Sequence, residues 1–386
     1  MRIVLSTTTM STTFNMARGI HEHNPDTFLF AGYPADRLAK YGFPPDKTHT
    51  YAWPILAMFA VGRVVRGQGF HQWVEPWPKI VFDRHVAGSM GSCDVFYATS
   101  SVGLESGRKA KRQGAAWICE RPCSHIETQD GLLRDEYARH GMRWPGIHRL
   151  IIEREKAEYE ESDAIVVASE FSRRSLVERG VPEDKIWVIP YGVNLESFYP
   201  DGDPMPDAFH VLYVGQRSIR KGLAYLLDAF EALDHPAKRL TLIGADTPDG
   251  LRVVERAKRM PSVEVIGSMP QPKLRGHMSR ADVFVLPSVE DGYGMVVDQA
   301  MACGCPCIVS RNAGAADSVA EGETGYTFEA RDVGALTRYL QELADNPERR
   351  RSMRIKAVEA ARKRGDWSVF GRDFLARCQS LRPGSA

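Results

Sequence analysis

The chain lacks any apolar run long enough to cross a bilayer. Its longest, about Tyr51–Val65, is interrupted by Pro54, Gly62 and Arg63, whereas a spanning helix needs about 20 apolar residues. No basic-then-apolar leader opens the sequence, because Met1–Ser6 carries only Arg2 and reads straight into a strand-like run. Charge of one sign is not in excess: 50 Lys and Arg face 49 Asp and Glu, a formal net charge of +1, so nothing global points to nucleic acid. Seven cysteines form an odd set without framework spacing, which suits a reducing cytoplasm better than a disulfide scaffold. Neither G-x-G-x-x-G nor a Walker loop occurs, so nicotinamide and ATP motifs are unmatched. Together these absences predict a soluble, cytoplasmic protein.

What is present is an alternation. The 386 residues, 43% hydrophobic and 26% charged, exceed one ordinary core and predict two domains. Short β-branched runs predict strands at Arg2–Ser6, Thr27–Ala31, Asp94–Ala98, Ala116–Glu120, Ala164–Ala168 and Lys185–Ile189, then at His210–Val214, Leu240–Ile243, Val263–Ile266, Val283–Leu286 and Pro306–Val309. Helical patterns separate them, for example Lys79–Met90, Leu104–Gln113, Arg149–Glu161, Leu223–Leu233, Met295–Cys303 and Glu348–Arg364. Several strands are apolar throughout, as in parallel sheets buried on both faces. The alternation breaks at Tyr199–Pro206, where three prolines and a glycine fall within eight residues. A domain boundary is expected there, giving domains 1–203 and 204–386. Asp201-Gly202-Asp203 inside it has the look of a metal-binding D-x-D, but a turn is the better reading of such a segment. Ligands of parallel sheets sit at the carboxyl ends of the strands, so a cleft between the two domains is the expected site.

Two segments of the second half carry chemistry. An apolar strand runs into Gly215-Gln216-Arg217-Ser218-Ile219-Arg220-Lys221-Gly222 and then a helix. Glycines admit close backbone approach, and a basic loop before a helix start suits a diphosphate, with an ordinary solvated connection as the rival reading. The second segment is Asp282–Gly304, where a buried strand ends at Pro287 and Glu290-Asp291 precede the turn Gly292-Tyr293-Gly294-Met295. The helix that follows is apolar except for Asp298 and Gln299. Adjacent helical positions diverge by about 100°, so only one of the two faces the cleft. Gln299 shares a face with Met295 and is expected to read the ligand, leaving Asp298 a structural contact.

This segment resembles the signature of glycosyltransferase family 4, the retaining enzymes of GT-B fold. Asp291-Gly292-Tyr293-Gly294 and Ala300-Met301-Ala302-Cys303-Gly304 fall in its register, as do Pro306–Ser310, Gly314–Asp317, Ala281–Ser288 and the Gly215…Lys221-Gly222 loop. In the first half, Ser162–Ser169 and Val188–Val193 are similar to the family's approach to the linker. The resemblance implies two Rossmann-like domains facing across a cleft, with a last helix at about 367–381 packing back on the first domain. It implies that Lys221 binds the donor diphosphate, that Gly292–Met295 offers backbone N–H groups to phosphate and sugar, and that Asp291 lies beside the transferred sugar. It also implies that Gln299 binds the ribose and that Gly267 and Ser268 lie near the base. The chain departs from the family where Asp291 and Gln299 replace two glutamates and Gln216 replaces an arginine, so that Arg217 or Arg220 is expected to carry that positive charge. A shifted pair, Glu290 with Asp298, keeps the spacing but breaks the glycine register.

The first half is less explicit. In place of the family's Gly-Gly loop stands Ser6–Phe14, rich in hydroxyls that suit either an acceptor site or turn and cap chemistry. His125 follows a predicted strand end and resembles the histidine that some relatives point at the donor sugar. Cys303, Cys305 and Cys307 invite a metal, yet strand alternation and the family pattern argue against one. Trp53, Trp73, Trp77 and Ile55–Val65, with Arg63 and Arg66 and a basic patch of Arg108, Lys109, Lys111 and Arg112, suit either peripheral contact with the inner face of a membrane or, preferably, a core helix and a solvated face. The expected activity is metal-independent, retaining transfer of a sugar from a UDP-, GDP- or ADP-linked donor to a glycan, lipid-linked or small-molecule acceptor, as in polysaccharide biosynthesis. No cofactor or nucleic-acid partner is expected. A non-catalytic nucleotide-sugar or glycan-binding protein of the same fold is the alternative.

Overall fold

In a computed structural model the structure describes residues 1–8, 12–38, 41–64, 74–205 and 207–381. Two all-parallel sheets organise the chain. The first holds seven strands in the order β3-β2-β1-β4-β5-β6-β7, and the second six in the order β10-β9-β8-β11-β12-β13. The first comprises β1 Ile3–Thr7, β2 Thr27–Ala31, β3 Thr48–Thr50, β4 Val95–Thr99, β5 Ala116–Glu120, β6 Ala164–Val167 and β7 Ile186–Val188. The second comprises β8 Phe209–Val214, β9 Lys238–Ile243, β10 Val263–Ile266, β11 Val283–Leu286, β12 Cys307–Ser310 and β13 Gly325–Phe328. Strand order reverses beside the first strand of each sheet, so each is a Rossmann-like domain whose crevice opens at the strand ends. This is the GT-B architecture.

The central strands are buried along their whole length. In β1, β4 and β11 every residue is buried, which is why their sequences are apolar runs rather than alternations. Strands β3 and β13 were not expected. β3 is three mostly exposed residues at a sheet edge, and Gly325 with Tyr326-Thr327 reads as a turn followed by a polar pair. Edge strands take their structure from a neighbour's unpaired ladder, not from a hydrophobic pattern. Helices Thr12–His23, Ile126–Arg139, Glu170–Val177 and Leu251–Lys258 were likewise not among the expected elements.

The last helix, Trp367–Ser380, returns to the first domain. There Trp367, Phe370, Phe374 and Cys378 join the core built by Phe14, Met16, Ala17 and Ile20 of helix Thr12–His23. Small residues set how closely the two helices approach: a Cβ on Gly19 would lie 1.9 Å from the Trp367 carbonyl oxygen. His23 Nε2 lies 2.8 Å from Ser368 Oγ at the same crossing. The chain therefore leaves the first domain near Gly192 and re-enters it at Gly365, and the two crossings touch, Val193 N donating to Gly365 O at 3.1 Å.

Contacts bear on three of the rival readings. Asp201 binds Arg275 Nε at 3.1 Å and its N–H donates to Ser279 Oγ, a turn pinned to the second domain. Cys303, Cys305 and Cys307 are core thiols, and among the described residues no three His, Cys, Asp or Glu side chains converge. Within the basic patch Arg108 pairs with Glu161, Lys111 with Asp163, and Lys109 caps Ala87 and Met90 carbonyls. Trp53 and Trp77 are 58% and 57% exposed, Trp73 and Arg66 lie outside the described residues, and no described helix is long and apolar enough to cross a membrane.

Gly19→Ala is expected to destabilise the protein by at least about 1–3 kcal/mol, the cost of overpacking a tight contact. Gly88→Ala, where a Cβ meets nothing within 4 Å on an exposed helical turn, is expected to be neutral or stabilising by up to about 1 kcal/mol. Thermal midpoints of the two variants check the pair.

Candidate functional site

The site is built where the carboxyl ends of both sheets meet. After β8 the chain turns through a short 3₁₀ segment, Ile219–Lys221, closed by Gly222 at φ +67°. A Cβ at Gly222 would lie 2.0 Å from the Pro287 carbonyl oxygen, so only glycine lets this turn lie against the end of β11. The close approach brings two adjacent cations onto two adjacent acids: Lys221 Nζ pairs with Asp291 Oδ2, and Arg220 Nη1 lies 3.1 Å from Glu290 Oε2. Burial would raise the Asp291 carboxyl, but Lys221 and Arg220 outweigh it and hold the group below its ordinary value. The site acid is therefore an ionised carboxylate.

Glu290 is fully buried and belongs to both domains. Its Oε1 accepts from the N–H and hydroxyl of Ser124 at 3.1 and 2.9 Å, and its Oε2 accepts from Gln129 Nε2 at 3.1 Å as well as from Arg220. Gln129 in turn accepts from Arg121 Nη2 at 2.9 Å, and Arg121 pairs with buried Glu155 at 2.7 Å. A chain of alternating charge, Glu155–Arg121–Gln129–Glu290–Arg220, thus crosses the cleft. Glu290, expected only as a rival partner to Asp298, has this interdomain role instead. Its signal was only the oddity of two neighbouring acids.

The turn after these acids is pressed onto the first domain. A Cβ on Gly292 would lie 1.9 Å from the Pro122 carbonyl oxygen, and the Gly292 carbonyl accepts from Ser169 Oγ at 2.8 Å. The Tyr293 ring joins the cluster of Tyr191 and Trp367 in the first domain's core, and its hydroxyl donates to Asp298 Oδ2 at 2.5 Å. Asp298 also pairs with Arg364 Nε at 3.4 Å, so it is a structural contact between the helix Val296–Ala302 and the one before the return crossing. Gln299, one residue on, faces a cavity of about 470 Å³ shared by the two domains, with Met295, Met269, Asn15, Arg18 and Tyr41 also on its wall.

Several site residues stand elsewhere than the sequence placed them. The Arg217 guanidinium is buried, donating to Leu242 O and Ile266 O and pairing with Asp246 at 2.6 Å; it ties off the ends of β9 and β10, leaving Arg220 and Lys221 as the cations near the acids. Gln216 is exposed and lines a second cavity. Gly215 backs onto the Tyr213 hydroxyl. Gly267 and Ser268 are exposed beside the first cavity, and it is Met269–Pro272 that reach its wall. His125 opens on neither cavity. Its Nδ1 accepts from Glu127 N at 3.2 Å, capping helix Ile126–Arg139, and the ring packs 5.2 Å from that of Tyr159. The strand-end position that suggested a site residue is equally a helix N-cap. Burial first, and the Arg121 charge next, push its pKa down to about 4.

Of the hydroxyl residues in Ser6–Phe14, Ser6, Thr7 and Thr13 are buried and Thr8 and Thr12 half-buried. Thr13 and Thr99 hydroxyls donate to buried Glu120 Oε2 at 3.4 and 3.1 Å, Tyr191 donates to Oε1 at 3.0 Å, and Thr7 Oγ1 lies 3.1 Å from Thr99 Oγ1. Thr9, Met10 and Ser11 lie outside the described residues.

Two family models match along the chain: Glycosyltransferase Family 4 over residues 13–197, and Glycosyl transferases group 1 over residues 203–363. The chain belongs to this family. A GDP-mannose-dependent alpha-(1-6)-phosphatidylinositol monomannoside mannosyltransferase of Mycolicibacterium smegmatis is 26% identical over 236 residues, 55% of this chain and 60% of that protein. A D-inositol 3-phosphate glycosyltransferase of Thermomonospora curvata is 27% identical over 232 residues, 53% and 54% of the two chains. This chain thus spans between about half and three fifths of those relatives. In fold it is similar to HepE of Anabaena in complex with UDP, at TM-score 0.72, 14% identity and coverage of 99% and 100%. It is also similar to sucrose-phosphate synthase of Thermosynechococcus elongatus, at TM-score 0.75, 20% identity and 98% coverage of both.

Removing one partner of a buried pair leaves the other uncompensated. Because Arg220 keeps some contact with solvent, Glu290→Ala is expected to cost about 3 kcal/mol, read as a drop in thermal midpoint. His125 stays neutral in the folded chain to about pH 4 but takes a proton near its ordinary value of 6.5 when unfolded. The unfolded state then binds the extra proton between those values, so stability falls as pH falls from about 6.5 to 4, by up to about 1.4 kcal/mol per unit. His125→Asn, which can still cap the helix, is expected to flatten that slope in urea titrations at pH 7.0, 5.5 and 4.5.

Proposed function

We propose that this chain is a retaining, metal-independent hexosyltransferase that moves a sugar from a nucleoside-diphosphate donor to a hydroxyl of an acceptor. The observation that carries the reading is the pairing of adjacent Arg220 and Lys221 with Glu290 and Asp291 at the meeting point of two parallel sheets, next to a cavity lined by Gln299. In this reading the nucleoside lies against Met269 and Gln299, whose neutral amide serves ribose hydroxyls, and the diphosphate lies toward Met295 and the turn Gly292–Gly294. The bond between the sugar's anomeric carbon and the diphosphate oxygen breaks with its electron pair on that oxygen. An acceptor oxygen bonds to the same face, and its proton leaves with the diphosphate. Lys221 and Arg220 stabilise the charge that develops on the leaving group, an interaction stronger in the transition state than in the ground state. Asp291 holds Lys221 in place and stands beside the transferred sugar. UDP, recorded with the Anabaena neighbour, and GDP-mannose, named for the mycobacterial relative, are the first donors to try. The mycobacterial relative is named for a phosphatidylinositol monomannoside and the Thermomonospora relative for D-inositol 3-phosphate, which supports a glycan, lipid-linked or small-molecule acceptor.

A second reading is a non-catalytic nucleotide-sugar or glycan binder, favoured by Asp291, Gln299 and Gln216 standing where the family pattern has two glutamates and an arginine. Turnover separates the two. A thermal-shift panel of UDP, GDP, ADP, their sugars and NAD is expected to show stabilisation by one nucleotide family and none by NAD, since a ligand that binds only the folded state raises apparent stability. Gln299→Ala is expected to reduce that shift, and Lys221→Ala to remove the diphosphate's part of it. Transfer is expected to persist in EDTA; its loss, with rescue by Mg²⁺ or Mn²⁺, would show that a metal is required.

A further inference from the structure

Beyond the contacts at Glu290 the two domains meet again, at Glu136. Helix Ile126–Arg139 of the first domain carries both meetings: Gln129 reaches Glu290, and Glu136 stands about two turns, or 10 Å, further along the axis. Glu136 is fully buried. Its Oε2 accepts from Arg331 Nε at 2.6 Å and its Oε1 from the Tyr225 hydroxyl at 2.7 Å, both of the second domain. His140 Nε2 lies 3.2 Å from Oε1 on its own side. Arg331 Nη2 also lies 3.0 Å from Asp135 Oδ2. Tyr225 stands in the first turn of helix Leu223–Ala232, which begins directly after Lys221-Gly222, so the same carboxylate also holds the helix that follows the site's two cations.

Two features set this contact apart from ordinary packing. The first is that neither charge is matched within its own domain. Among the described residues Arg331 pairs only with Asp135 and Glu136, and the first domain offers the Glu136 carboxylate only His140. A carboxylate without accessible surface is costly unless its lone pairs are filled, and here most of the filling comes from across the cleft. The second is the backbone of Arg331, at φ +76°, the left-handed region that suits glycine. Arg331 stands just before Asp332, the cap of helix Val333–Asp345. Strain of this kind persists where surrounding contacts over-determine it, and the contacts of this side chain are the two acids of the other domain. Arg331 lines neither cavity, so its guanidinium serves the fit between domains and not a ligand.

We infer that Arg331 and Glu136 form a clasp that holds the cleft shut, and that Arg331 is thereby a positioning residue for the cavity at Gln299. That cavity takes Asn15, Arg18 and Tyr41 from the first domain and Met269, Met295 and Gln299 from the second, so it is complete only while the domains are closed. The effect on nucleotide binding rests on the transferase reading; the effect on closure does not. Small-angle X-ray scattering on the full chain reads closure, and titration with UDP, GDP and ADP reads the cavity. Arg331→Gly removes the guanidinium and relieves the backbone. It is expected to keep the wild-type circular dichroism yet show a larger radius of gyration without ligand. It is also expected to bind the preferred nucleotide about 5- to 10-fold more weakly, because apparent affinity falls with the competent fraction. Arg331→Lys, which keeps a cation, is expected to recover most of both losses. Glu136→Gln, which keeps the shape of the side chain and loses its charge, is expected to open the cleft as Arg331→Gly does, and decides the question should the glycine variant not fold. Variants as compact as wild type, or open variants that bind the nucleotide as tightly, would overturn the inference. If the wild type binds none of the three nucleotides, the transferase reading falls, and the scattering comparison alone decides the clasp.

Discussion

Everything at the centre of this molecule depends on one carboxylate that belongs to neither domain alone. Glu290 is fully buried and accepts from a serine and a glutamine of the first domain and an arginine of the second. A buried charge is tolerated only when its lone pairs are filled, and here they are filled from opposite sides of the cleft. The acid therefore couples the position of one sheet to that of the other. Its neighbour Asp291 binds Lys221 in the same way within the second domain, so the cations next to the cleft are held in place before any ligand arrives. Preorganised charge of this kind costs no rearrangement at the moment of reaction.

A second buried carboxylate plays the matching part in the first domain. Glu120, at the end of β5, gathers hydroxyls from Thr13, Thr99 and Tyr191. Burial raises its pKa, and those hydroxyls oppose the rise. Tyr191 also packs edge-on against Tyr293 and at a tilt against Trp367, so this polar knot is continuous with the packing of the cleft turn and the returning helix. Thr7 and Thr13 of the hydroxyl-rich opening are thereby committed to internal contacts.

How much of this could be read from residues alone follows from what each feature depends on. Strands such as Val283–Leu286 and helices such as Leu223–Ala232 were legible because burial on both faces or a single apolar stripe writes itself into composition. The separation of Asp298 from Gln299 was legible because it needs only the angular step of a helix. Arg217 was not: a basic residue in a glycine loop reads as a ligand group, and its true partners, the carbonyls of Leu242 and Ile266, are distant in sequence. His125 was ambiguous for a local reason, since a strand end that begins a helix is both a place for ligands and a place for a cap. The roles of Arg18, Tyr41 and Met269 on the cavity wall had no sequence signal, because they arise from the meeting of two separately folded surfaces.

The returning helix has a mechanical consequence. Because the chain both leaves and re-enters the first domain, the second domain is an insertion, hung from two tethers rather than one. The tethers run side by side: Val193 bonds to Gly365, and a Cβ on Gly192 would lie 2.3 Å from the backbone of Asp366. Two adjacent attachment points define a single axis. Such a domain cannot slide along the cleft or drift away from it as a body on one flexible linker can. It can only swing, and every swing opens or closes both cavities about the same line.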